Sequence, residues 1–219
     1  MKKILSCALV LSMAFSLAGC GSKGGYASTE KKVISAAEEC FGAEEASKKA
    51  RKKILSDSFR ANDAVFEDGA YTTLTSEDIE DMDIKESDFD PEDMPNMLVL
   101  VKSENNSYVE TYVVEASDKD TAGEIYDYFT ERFGTTEKKL KKEAKKFDAE
   151  YGFEEDDNKL AIIMVSEDRD KAQCAHIQLD GKVVSLSIYD GKYETDLLEE
   201  YYEFLRSAGY TDIEALLEE

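Results

Sequence analysis

Met97-Leu98-Val99-Leu100-Val101 is five apolar residues in a row with no polar alternation. A strand with one wet face alternates apolar and polar side chains. A continuous run of this length describes a strand covered on both faces. Ser103 to Ser107 follows as a turn cluster, and Tyr108 to Ala116 is rich in Val, Tyr and Thr, so the two segments read as a hairpin. Leu160-Ala161-Ile162-Ile163-Met164-Val165 repeats the continuous apolar pattern. Residues 173–179 and 182–189 flank Asp180-Gly181, a two-residue hairpin signal. Ala175, Ile177 and Leu179 alternate inward, as do Val184, Leu186 and Ile188.

Helical spacing fills the gaps between these strands. Ser117 and Asp118 lead into a helix carrying Ala122, Ile125, Tyr126, Phe129 and Phe133, stopped at Gly134. Thr135 or Thr136 starts another, with Leu140, Ala144, Phe147 and Tyr151 as its apolar stripe. Leu197, Leu198, Tyr201, Phe204, Leu205 and Ala208 mark a C-terminal helix ending at Gly209. Thr211 and Glu214 read as a capping box for a last short helix. Strand, turn, strand and helix thus occur at 97–133 and again at 173–208, which raises a duplicated unit as a possibility.

Toward the N-terminus, Ser28 or Thr29 caps a helix with Val33, Ala36, Ala37, Cys40 and Phe41 on one face, and a second runs from about Ala43 to Leu55. They read as an N-terminal helical pair. Phe59 to Tyr71 reads as loop, and Thr75 with Asp78 as the cap of one helical turn. Glu77 to Asp93 holds ten acids and one lysine and ends at Pro91 and Pro95, which describes a solvated loop. The expected fold is α+β: a mainly antiparallel sheet of about five strands with helices packed chiefly on one face.

The front of the chain decides location. Lys2 and Lys3 precede an apolar segment from Ile4 to Leu17, too short for the roughly 20 residues that span a bilayer. A charged start, a short apolar core and small residues at its end describe an export signal. Leu17-Ala18-Gly19-Cys20 resembles the lipobox of bacterial lipoproteins. That resemblance implies a diacylglyceryl thioether on Cys20, cleavage before it, and a palmitate-bearing protein held on the extracytoplasmic face of the cell membrane. Two acyl chains anchor stably, at about 0.8 kcal/mol per buried CH₂. The expected organisation is a signal peptide at 1–19, a Gly/Ser-rich tether at 20–28 and a single domain at 29–219. Within that domain, 29–57 is the helical pair and 97–219 the sheet-containing core.

Charge excludes one class of partner. Removing the first 19 residues of 219 leaves 200 and takes away two lysines, so the net charge of −22 becomes −24. Nucleic-acid binding rests on neutralising phosphates with Lys and Arg, so no nucleic acid is expected.

Of four cysteines, Cys7 leaves with the signal and Cys20 takes the lipid. Cys40 and Cys174 remain, either as a disulfide or as two small buried hydrophobes. His176 is the sole histidine and shares a strand face with Cys174; a zinc site would need a second ligand pair that the sequence lacks, so a structural pair is expected. Asp88, Asp90 and Glu92 alternate as in a calcium loop, but the turn glycine is missing and Val99 stands where the bidentate Glu belongs. No metal or cofactor is expected. Tyr189, Tyr193, Tyr201, Tyr202 and Tyr210 are either a recognition surface or core. Lys138, Lys139, Lys141, Lys142, Lys145 and Lys146 surround one helix. Lys138, Lys139, Lys142 and Lys145 are candidate anion contacts for an anionic polymer or lipid headgroups. The leading expectation is a solvated helix face, since a narrow apolar stripe turns the rest of the circumference outward, with the protein's own acids rather than a membrane as its electrostatic partner.

No catalytic signature is present. Front and charge together resemble small Gram-positive lipoproteins of unknown function. The expectation is a non-enzymatic, lipid-anchored binding or scaffold module, its partners the membrane, through Cys20, and a protein of the envelope. A receptor for a small ligand or cation is the alternative, and an enzyme the third reading.

Overall fold

The computed structural model describes residues 25–54, 66, 68–81 and 89–217. The signal, Cys20, most of the tether, Asp88 and residues 55–57 of the expected helical pair lie outside them. The chain is α+β, built on one sheet of eight strands. These are β1 (Glu44–Glu45), β2 (Ala70–Thr75), β3 (Asn96–Glu104), β4 (Ser107–Glu115), β5 (Glu150–Asp156), β6 (Lys159–Ser166), β7 (Lys171–Asp180) and β8 (Val183–Gly191). The order across the sheet is β1-β2-β3-β4-β8-β7-β6-β5. β1 and β2 pair in parallel and the other neighbours antiparallel. Two meanders, β2-β3-β4 and β5-β6-β7-β8, meet where β4 pairs with β8.

The β3 run explains the architecture. Leu98 and Leu100 enter one apolar core, and Met97, Val99 and Val101 enter another on the opposite face. The sheet is therefore covered on both sides, not chiefly on one. α1 (Tyr26–Phe41) and α6 (Asp196–Ala208) pack together over the front face. α2 (Lys48–Ile54), α3 (Ser76–Asp81) and α4 (Lys119–Phe133) bury Ala50, Ile54, Ile79, Ala122 and Ile125 on the back. α5 (Glu137–Phe147) runs beside β5 and β6. The Ser166 hydroxyl, on the same face as Leu160 and Ile162, donates to the Phe147 carbonyl at 3.2 Å and fixes the end of α5 on the back.

Several expectations are corrected. The N-terminal helices are not a pair: Val33, Ala36 and Ala37 of α1 lie in the front core, Ala50 and Ile54 of α2 in the back one. Between them Glu44 and Glu45 pair with Ala70 and Tyr71, so the chain turns around the sheet edge. α1 begins at Tyr26 after Gly25, without a side-chain cap, because Tyr26 is itself buried. The tether expected to reach residue 28 gives up its last three residues to that helix. Part of the presumed loop before Tyr71 is strand β2, and Tyr151 belongs to β5 rather than to α5. A duplicated unit is not supported, since α4 and α6 follow equivalent hairpins onto opposite faces.

Local rules hold elsewhere. The Thr75 amide donates to Asp78 at 3.0 Å and caps α3. Asp118 accepts from the Thr121 amide at 2.9 Å, Thr136 from Lys139 at 3.4 Å and Thr195 from Leu198 at 3.3 Å. The β3–β4 turn places Asn105 and Asn106 at φ 49° and 69°, which suits asparagine and a two-residue hairpin. The β7–β8 turn centres on Gly181-Lys182, one residue later than expected, with Gly181 at φ 67°. Near the C-terminus, Thr211 and Glu214 do not cap a helix; Ala215–Leu217 is a single 3-10 turn lying on β5.

Candidate functional site

Two polar features rise above the scaffold: one sealed beneath α6, the other fully exposed on α5. The sealed one follows from strand register. Thr111 of β4 faces Ser187 of β8, which faces His176 of β7. The Thr111 and Ser187 hydroxyls share a hydrogen bond of 2.8 Å. All three side chains are fully buried. The Thr211 amide donates to His176 Nε2 at 3.3 Å, which places the ring proton on Nδ1. Tyr210 lies against the imidazole, ring centroids 4.7 Å apart. Burial first, then the charge of Lys159, lowers the His176 pKa to about 3, so the ring is neutral.

Cys174 shares the front face with His176, as the spacing requires, but it is buried under α6 and its thiol is pushed up by desolvation. Among the described residues no cluster of acids, His and Cys could hold a metal. Cys40 and Cys174 are both free thiols, Cys40 half-buried. The C-terminal tyrosines divide in the same way. Tyr189, Tyr201 and Tyr202 are buried, and Tyr193 and Tyr210 pack against the same core. Tyr189 and Tyr201 rings lie 5.7 Å apart, and Tyr189 donates to the Lys192 carbonyl at 2.5 Å. Burial raises the Tyr201 pKa well above its ordinary value and pushes Tyr210 up to about 12. Ser187 and Ser185 stand near enough to these two hydroxyls to offset part of that rise, without meeting hydrogen-bond geometry. This is a polar seam in the core. Thr111, Cys174, His176, Ser187 and Tyr201 are all buried away from solvent.

A shallow, open depression at the hairpin end of β3 and β4, between Phe66, Val101, Ser103, Tyr108 and Glu110, has room for about 10 Å³, roughly one water molecule. It does not match a drug-sized ligand. Asp90, one of the alternating acids, precedes the 3-10 turn Pro91–Asp93, and Val99 is buried in β3.

α5 is the exposed feature. Leu140 and Ala144 are buried against the sheet, and Lys138, Lys139, Lys141, Lys142, Lys145 and Lys146 are all exposed. At 100° per residue the six lysines form one arc of about 160°, opposite the buried stripe and about 12 Å long. Lys142 has like-charged neighbours at positions 138, 139, 145 and 146. Each such pair costs about 0.2–0.5 kcal/mol in an isolated helix. None of the six forms an ion pair with an acid among the described residues. Lys146 instead lies over the Phe147 ring, 4.8 Å from its centre. Residues 82–88 of the acidic stretch, the expected internal partner of this strip, lie outside the described residues.

α2 makes the contrast. It is as basic as α5, with Lys48, Lys49, Arg51, Lys52 and Lys53, but the acidic α3 lies beside it and Arg51 is ion-paired to Asp78. Hydrogen bonds from Thr75, then the Arg51 charge, hold the Asp78 carboxyl below the usual range. Of the five cations of α2, Arg51 has an acid partner within the fold; on α5 no lysine has one among the described residues.

No family model matches the chain, and no curated protein matches it in sequence. Among solved structures it is similar to the extracellular domain of PknH from Mycobacterium tuberculosis, at 10% identity and a TM-score of 0.32. The match covers 54% of this chain and 66% of that one, slightly under two thirds of its length. Among the described residues no helix is long and apolar enough to cross a membrane.

Proposed function

We propose that this chain is a lipid-anchored, extracytoplasmic binding module with no catalytic chemistry of its own, and that the lysine face of α5 is its contact surface. The observation that carries the binding role is the concentration of six like-charged side chains on one exposed face of α5, none of them in an ion pair with an acid among the described residues. A local arrangement that works against helix stability suggests a use outside the fold.

The location rests on the lipobox-like Leu17-Ala18-Gly19-Cys20, a few residues before Tyr26 opens the folded part. So short a link holds the domain at the membrane surface, where its high effective concentration favours weak charge-based contacts. Replacing Cys20 with Ala tests the anchor. The wild-type protein is expected in the detergent phase on phase partitioning and the variant in the aqueous phase or unprocessed; equal partitioning removes the anchor from this reading.

A further inference from the structure

We propose that the polar seam beneath α6 is a hydration site, in which one internal water joins His176 Nδ1 of β7, the Tyr201 hydroxyl of α6 and the Ser187 hydroxyl of β8. It is independent of the reading of α5 as a contact surface.

Register brings the partners together. Ser187 stands directly across from His176 on one side and from Thr111 on the other. Side chains directly opposite in a sheet lie about 4.5–5.5 Å apart at Cβ, so His176 and Ser187 are immediate neighbours on the front face. The Tyr201 hydroxyl reaches down from α6 beside Ser187, close enough to ease the rise in its own pKa. Ser187, His176 and Tyr201 are all fully buried, so bulk water does not serve them.

The hydrogen bonds of these groups do not close among themselves. The Thr211 amide donates to Nε2, so Nδ1 carries a proton and needs an acceptor. Neither Nδ1 nor the Tyr201 hydroxyl has a partner among the described residues. Tyr210 covers the face of the imidazole, ring centroids 4.7 Å apart, whereas the Nδ1 proton points out along the ring plane; the Tyr210 hydroxyl does not accept it. A direct bond between Tyr201 and Ser187 would still leave Nδ1 unmet. Buried N–H and O–H groups left unpaired are costly, and folded proteins satisfy nearly all of them with protein atoms or ordered water.

A water balances the donors and acceptors. It accepts from Nδ1–H and from the Tyr201 hydroxyl and donates to Ser187 Oγ, whose own proton goes to Thr111 across their 2.8 Å bond. About three partners is the usual number for an internal water. The imidazole is neutral and its companions are hydroxyls, so the site selects an uncharged occupant. It lies where the two meanders join at β4 and β8, and the water ties that join to α6.

The test is a high-resolution crystal structure of the full chain, paired with proton–nitrogen NMR of the His176 ring in solution. Expected are a density peak about 2.7–3.2 Å from Nδ1, Tyr201 Oη and Ser187 Oγ, a proton on Nδ1 rather than Nε2, and a cross-peak from that proton to water. Tyr201→Phe is expected to keep the tautomer and diminish the water cross-peak. Tyr202→Phe, about 100° further round α6, is expected to leave it unchanged. Three results overturn the proposal: Nδ1 bonded directly to a protein oxygen with no water between, a proton on Nε2, or equal effects of the two Phe variants. The first two are read in the wild type, so they decide the matter whatever a substitution does to the fold.

Discussion

The backbone amide of Thr211 donates to the buried Nε2 of His176 across 3.3 Å, so the segment after α6 is fastened to the middle of the sheet by the only histidine in the chain. The bond requires a neutral ring. With its pKa lowered to about 3 by burial, His176 stays unprotonated in the fold and takes up a proton near pH 6.5 once unfolded.

The sign of the pH dependence follows. Between those values the unfolded chain binds the extra proton, so stability is full above about pH 6.5 and falls as pH drops toward 3. Urea denaturation should show a loss of about 2 kcal/mol between pH 6.5 and 4.5, the slope approaching about 1.4 kcal/mol per pH unit below pH 6. In His176→Gln this slope should largely vanish. A His176→Gln profile as steep as that of the wild type would show that another group governs it.

Cys174 and Cys40 should differ in reactivity. Burial raises both thiols, but Cys174 lies under α6 while Cys40 is half-exposed beside Ser207. Alkylation of the native protein followed by peptide mapping should label Cys40 slowly and Cys174 only after denaturation. Recovery of the two as one disulfide-linked peptide would contradict the free-thiol state.

Lys102 is buried on the front face with its ammonium 3.2 Å from Glu200 and 5.9 Å from the centre of the Phe41 ring. Lys102→Ala removes packing and leaves Glu200 without its partner, and should cost about 2–4 kcal/mol in chemical denaturation. Lys102→Met keeps the volume and should cost less than half as much. Equal losses would mean that packing has no part in the effect.

Gly152 of β5 has the C-terminal 3-10 turn directly above it. A Cβ at that position would fall inside van der Waals distance of the Leu216 side chain and backbone. Gly152→Ala should therefore destabilise by about 1–3 kcal/mol and expose the residues after Ile213 to carboxypeptidase. An unchanged melting temperature and digestion pattern would show that the turn is not held there.

Much of this fold was legible because strand signals are local. The continuous runs at 97–101 and 160–165 announced strands buried on both faces, and Asp118, Thr136 and Thr195 announced their helices through their caps. The same runs also implied two covered faces, and the one-sided sheet expected from the sequence neglected that implication. β2 was lost because Ala70-Tyr71-Thr72-Thr73-Leu74-Thr75 buries small and polar residues inward, with only Leu74 large and apolar. β5 was lost because it is a short acidic edge strand whose alternation rests on Gly152. Which face each helix covers is decided by distant register, as for α1 and α2, and no local pattern encodes it. For the candidate site, lysine positions were legible, but their lack of partners was not. Pairing depends on which acids the fold brings near: it brings Asp78 of α3 to Arg51 of α2 and, among the described residues, no acid within ion-pair reach of the α5 lysines.

The central claim is a mature protein that begins at a lipid-modified Cys20 and works at the membrane surface. Intact mass spectrometry of the protein extracted from membranes tests it most directly. The result expected is a polypeptide starting at Cys20, heavier than its sequence by a diacylglyceryl group, with that mass on the N-terminal peptide. A chain that retains Met1 to Gly19, or one that starts elsewhere with an unmodified Cys20 thiol, would contradict the account.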